Sequence, residues 1–215
     1  MPSLHEILNH LQFITGELAI LALFVTGAAM VLLPDWRASL LALLGQYLMA
    51  GLILSRLVLP EVALVKVLVG ALVCPMLYLA ARQAGWGRRY TSAQDCQRQE
   101  VFPGGFAFRL LGMTLMTLLT MALSRSYPLP VISPAMGLAS YWLMLQGLLI
   151  LILSEEPLKA GQGLLMGIIG FELFYASIER SLALVWMWAV INLLVTLAIA
   201  YLAVVRGTGG TAGHL

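Results

Sequence analysis

Apolar runs long enough to form spanning helices follow one another along almost the whole chain, with short polar or proline-bearing breaks between them. A helix needs about 20 mostly apolar residues to cross a bilayer. On that measure the pattern predicts about seven spans, at residues 11–33, 38–59, 62–81, 106–123, 131–153, 160–178 and 182–205. The expected fold class is therefore all-α: a polytopic membrane helix bundle forming a single transmembrane domain over residues 1–215. Pro34-Asp35 marks a tight turn, Pro60 opens the third span at a helix position where proline is tolerated, and Pro75 is expected to kink that span by removing a backbone donor. Residues 82–105 form the only sizeable polar loop, and the Gly-rich stretch 206–215 reads as a flexible tail.

Composition agrees with this pattern. The chain is 61% hydrophobic and only 10% charged, against roughly 25% charged in a soluble domain. A core of this size cannot bury that apolar excess, so the chain reads as an integral membrane protein with lipid around it and no soluble domain. A net charge of +2 gives no reason to expect a nucleic-acid partner. The first residues, MPSLHEILNH, lack a basic start and a cleavage site, so the first hydrophobic segment is expected to be kept as a helix. Cys74, in an apolar run, and Cys96, in the polar loop, read as free thiols.

The placement of basic residues orients the bundle. Arg37, the loop residues Arg82, Arg88, Arg89 and Arg98, Lys159 and Arg206 fall on one side, and Arg56, Arg125 and Arg180 on the other. The positive-inside rule then places the long loop and C-terminus in the cytoplasm and the N-terminus outside. Arg109, near the cytoplasmic end of its span, reads as an interfacial anchor.

The candidate chemistry lies in polar residues inside apolar spans. Glu172 sits well within AGQGLLMGIIGFELFYASI, residues 160–178. A charge at that depth costs roughly 2.5–3.5 kcal/mol on insertion scales, so such groups usually face protein or water and mark function. Tyr175, Ala176 and Glu179 share its helix face, while Gly163, Gly167 and Gly170 lie roughly opposite, on a face suited to close helix packing. Lys66 is the second costly residue. It is either a partner for such a carboxylate or, as the favoured reading, a side chain that snorkels to the interface. Glu17 is a third candidate on a proton path and could also reach the outer headgroups. Gln46, Gln146 and Asn192 read as interhelical polar contacts, with Tyr175 a further one. The histidines His5, His10 and His214 lie near the termini, away from the spans, which excludes haem held by paired transmembrane histidines. No zinc spacing, phosphate loop or nucleophile motif occurs, so no active site, metal or cofactor of its own is expected.

The sequence also carries a hint of an internal repeat of helix pairs. Gly45-Gln46-Tyr47-Leu48 and Gly170-Phe171-Glu172-Leu173 occupy matching points of two pairs, with Arg56 and Arg180 at matching ends. Each pair then continues into a span with one strongly polar residue, Lys66 or Asn192. Repeats of this kind recur in membrane transport folds.

KVLVGALVCPMLYLAAR, residues 66–82, resembles the third-span region of the hydrogenase-4 component E family, and GLLMGIIGFELFY, residues 163–175, resembles its Glu-bearing later span. The K-type subunit of respiratory complex I and the C-type subunits of multisubunit cation/proton antiporters share that Gly-rich helix with a buried Glu. The chain departs from the pattern at Leu173, where the family usually has Asn, and in a Lys-to-Pro gap about one helical turn longer. The resemblance implies a non-catalytic bacterial inner-membrane subunit. It would belong to a redox-coupled, proton- or sodium-translocating complex and bridge antiporter-like and other membrane subunits. Glu172 would be the carboxylate on the ion path and Lys66 the buried lysine. Two other readings stand beside it: a structural or assembly subunit whose buried charges only fix packing, and a self-contained carrier of a small solute.

Overall fold

The computed structural model describes residues 4–33, 35–57, 60–85, 105–127, 134–179 and 181–209, with side chains at 4–17, 56–57, 60–63, 177, 182 and 207–209 excepted. Those residues form seven α-helices: α1 Leu4–Leu32, α2 Trp36–Leu57, α3 Pro60–Gln83, α4 Phe106–Ser126, α5 Pro134–Leu153, α6 Pro157–Ile178 and α7 Leu182–Gly209. The described part of the chain is an all-α bundle, as its hydropathy requires. Five helices, α2, α3, α4, α5 and α7, are long and apolar enough to cross a membrane, and residues 18–32 of α1 add a shorter apolar stretch. In α6 the apolar run is diluted by Gly161, Gly163, Gly167, Gly170, Gln162 and Glu172.

Helix ends follow local chemistry. Pro60 and Pro157 begin α3 and α6, where the missing N–H has no intrahelical acceptor to lose. Gly85, at φ 71°, closes the C-terminus of α3 in the left-handed conformation that favours glycine. The last helix corrects one expectation. The chain stays helical from Arg206 to Gly209, where a loose tail was expected from residue 206. Arg206, in that last turn, suits the negative end of the helix dipole and donates to the Glu155 carbonyl at 2.7 Å. Pro75 lies inside α3, which runs through it to Gln83.

Packing is organised as two three-helix groups, α1–α2–α3 and α5–α6–α7, each packed consecutively. Between the groups like packs on like: α1 on α5, α2 on α6 and α3 on α7. Helices α2 and α6 run parallel. Ser39 and Gln162, near their starts, are hydrogen-bonded at 2.6 Å, and Tyr47 and Glu172, further along, meet through Asn192. The core between the groups contains Leu23, Leu43, Tyr47, Leu165, Met166 and Ile169. Helix α4 joins the groups and stays peripheral. It packs on α5 and α1, and Thr120 is its one buried residue, while Phe108, Leu111, Leu115 and Leu118 remain exposed.

Candidate functional site

Glycine shapes the site. At Gly70, one turn after Lys66, an added Cβ would lie 2.4 Å from Tyr47 Cβ. The bare backbone there lets Tyr47 approach α3 closely. Lys66 Nζ in turn sits 4.9 Å from the centroid of that ring, within cation–π range. On the opposite group, Gly147, Gly163 and Gly170 bring α5 and α6 together: a Cβ on Gly163 would meet the Gly147 carbonyl oxygen at 2.8 Å, and one on Gly170 the Ser140 carbonyl oxygen at 2.8 Å. This contact fixes α6 with Glu172 turned toward α3 and α7.

Lys66 and Glu172 form a salt bridge in the interior, with the residues 6% and 9% exposed. Lys66 Nζ donates to Glu172 Oε2. The other carboxylate oxygen, Oε1, accepts from Asn192 Nδ2 at 2.5 Å. That same amide nitrogen donates to the Trp188 carbonyl at 2.8 Å, and Asn192 Oδ1 accepts from the Tyr47 hydroxyl at 2.7 Å. Four helices, α2, α3, α6 and α7, thus contribute one side chain each to a single chain of bonds: Tyr47, Asn192, Glu172, Lys66. Both carboxylate oxygens are satisfied, which is what a buried charge requires.

A cavity of about 30 Å³ opens beside the pair, lined by Lys66, Glu172, Tyr175, Glu179, Val185 and Trp188 among others. That is room for a water or two. Trp188, one of the lining residues, has a buried Nε1 donor without a partner among the described residues. The cavity leads along α6 toward Glu179, an exposed carboxylate at the helix end whose Oε2 accepts from the Tyr175 hydroxyl at 3.3 Å.

Several sequence expectations change here. Lys66 does not snorkel: it is buried and paired across 106 residues of chain. Gln46 makes no interhelical hydrogen bond among the described residues, since neither its Oε1 nor its Nε2 has a partner there. The Tyr175 hydroxyl bonds to Glu179, just past the end of its own helix, and the described residues show no bond from it to another helix. Gly167 splits from its neighbours: Gly147 closes onto its backbone, but a Cβ there would meet nothing within 4 Å. Gln146 does bridge helices, donating to the Met113 carbonyl at 3.3 Å and Thr117 Oγ1 at 3.4 Å. Cys74 is buried and free, its thiol toward the Leu40 carbonyl at 3.8 Å. The Glu17 side chain, Cys96, Arg88, Arg89, Arg98 and Arg180 lie outside the described residues. No cluster of metal-ligating side chains occurs among the described residues.

Sequence reading missed Tyr47 and Gly70 as site residues. The signal for Tyr47 was its match to Glu172 in the repeat. The signal for Gly70 was its place one turn from Lys66.

No protein-family model matches the chain, and neither a curated protein nor a solved structure matches it.

Proposed function

We propose that the protein is a small, non-catalytic membrane subunit of a redox-coupled ion-translocating complex of the hydrogenase-4 or complex I type, in which Glu172 and Lys66 hold and pass a proton. The observation that carries this reading is the buried Lys66–Glu172 pair, with both carboxylate oxygens bonded and a water-sized cavity leading from it to Glu179. A lysine and a carboxylate in contact can exist as an ion pair or, after one proton shift, as a neutral pair. The low-dielectric surroundings bring the two states close in energy, because each buried charge is costly on its own and stabilised by the other. A proton arriving through the cavity, or a charge moving in a neighbouring subunit, would tip that balance.

On this reading the bundle lies in a bacterial inner membrane, N-terminus outside, with the Glu179 end outward and Arg37, Lys159 and Arg206 at the cytoplasmic end. Its exposed apolar faces, α4 above all, meet lipid and the antiporter-like subunits it bridges. The resemblance of residues 66–82 and 163–175 to the hydrogenase-4 component E family supports the same assignment.

The test is affinity purification from native membranes followed by Glu172→Gln in the assembled complex. Large membrane subunits are expected to copurify. The variant, with Lys66 left unpaired, is expected to be less stable, and per assembled complex to lose ion pumping, read with a pH-sensitive dye in vesicles. Normal pumping by the variant would leave the pair a packing device and favour the assembly-subunit reading.

A further inference from the structure

The Tyr47–Asn192–Glu172–Lys66 chain and its cavity serve the Glu179 end of the bundle. On the other side of Glu172, toward the end that carries Arg37 and Lys159, buried amides lie with unused bonding capacity. Gln46 is fully buried, and neither its Oε1 nor its Nε2 has a partner among the described residues. Gln162 Nε2 is likewise buried and unpartnered, while Gln162 Oε1 accepts from the Ser39 hydroxyl at 2.6 Å. Leaving a buried polar atom unbonded costs about 1–3 kcal/mol, and an ordered water is one partner that satisfies such groups in native proteins. Here three such atoms, on Gln46 and Gln162, belong to the facing helices α2 and α6. Ser39 and Gln46 are seven residues apart on α2 and so share a face, and Ser39 shows that this face meets α6. Gln46 immediately precedes Tyr47, the end of the bonded chain. Gln162 stands ten residues before Glu172 on α6, about 15 Å of helix axis, and Gln46 lies between those two levels.

We infer that Gln46, Gln162 and Ser39 hold a file of water between the Glu172 site and the Arg37–Lys159 end of the bundle, completing a proton route across the protein. Amides suit this place. Each offers a donor and an acceptor to water without adding a charge that would trap the proton. The cavity on the Glu179 side and the amide line on the other then serve the same carboxylate from opposite ends. The inference rests on Glu172 being the proton site, and the experiment separates the two claims.

Gln46→Leu, Gln162→Leu, Gln46→Asn and Glu172→Gln are compared in the purified complex, by proton translocation in vesicles and by melting temperature. Both leucine variants are expected to slow translocation several-fold with assembly intact, and Gln46→Asn, which keeps an amide, to retain more of the rate. A dry, unpaired amide would make its leucine variant more stable than wild type, so a higher melting temperature for Gln46→Leu overturns the water file. Normal translocation in both leucine variants while Glu172→Gln is inactive overturns the file and leaves the Glu172 reading standing. Normal translocation in Glu172→Gln overturns both.

Discussion

At the scale of single residues, the Lys66–Glu172 pair separates what a charge costs from what a pair costs. Removing one partner leaves the other buried and uncompensated, which destabilises by about 3–5 kcal/mol, whereas replacing both with apolar groups of similar size is often neutral or stabilising. Lys66→Met is therefore expected to lower the melting temperature in detergent more than Lys66→Met with Glu172→Leu, and the double variant to fold but not support pumping. A second expectation concerns Gly70. Gly70→Ala places a methyl at the position now closed by Tyr47 Cβ. The ring must tilt away, and with it go the hydroxyl bond to Asn192 and the face under Lys66 Nζ. Pumping is expected to fall although no ionisable group has changed. Lys159, one residue before the expected span, gives a pH dependence. Burial, and then the Arg109 guanidinium, push its amine down to about 8, with Glu156 and Asp35 opposing. Its folded value lies below its unfolded one, so the native state carries a penalty below pH 8 that is relieved as pH rises toward the unfolded value. Wild type is expected to gain stability across that window relative to Lys159→Met, measured by thermal melts. Glu172 was legible in the sequence because one carboxylate stands out in an oily run. Its partner was not, because a lysine near the end of a span has a second low-cost solution in snorkelling, and only the fold chooses between them.

At the scale of elements, the α5–α6 contact is a close approach of two backbones through glycine. Gly147 faces the backbone of Gly163 and Gly167, and Gly170 faces that of Ser140 and Met144. Backbone cannot move aside as a side chain can, so Gly163→Val and Gly170→Val are expected to force the helices apart and destabilise the bundle. Gly167→Ala is expected to be tolerated, because its Cβ direction is open. Comparing the melting temperatures of the three variants checks this. The existence and order of the helices were readable from hydropathy, since each buries its own backbone polar groups and needs only length and apolarity to be recognised. Helix ends were less readable. Residues 206–209 stay helical because α7 simply continues its hydrogen bonding past the apolar run, a choice that hydropathy does not record. The roles of the three glycines in one motif were also invisible as a set, because which neighbour each one meets depends on the crossing of α6 with α5.

At the scale of the whole molecule, the two three-helix groups pack like on like, and the polar chain crosses between them twice. Tyr47 on α2 reaches Asn192 on α7, and Glu172 on α6 reaches Lys66 on α3. These are the residues that the sequence repeat pairs, Tyr47 with Glu172 and Lys66 with Asn192, so each group's middle helix reaches the other group's third. Groups in parallel orientation around a central polar site are also a carrier architecture, which makes solute transport the rival to be met. The space at the polar site favours the proposed subunit over the carrier. Ligand pockets run to about 300–1,000 Å³, whereas the space beside the Lys66–Glu172 pair is about 30 Å³, and the core between the groups contains large side chains such as Tyr47, Leu43, Met166 and Ile169. Water and protons fit that space, and a solute would first have to part the groups and break the salt bridge. The protein reconstituted alone in liposomes is therefore expected to take up no radiolabelled sugar, amino acid or organic cation above the level of protein-free vesicles. Uptake that saturates with solute, and is lost in Glu172→Gln, would mean that the two groups open as a carrier and that the pair is its latch.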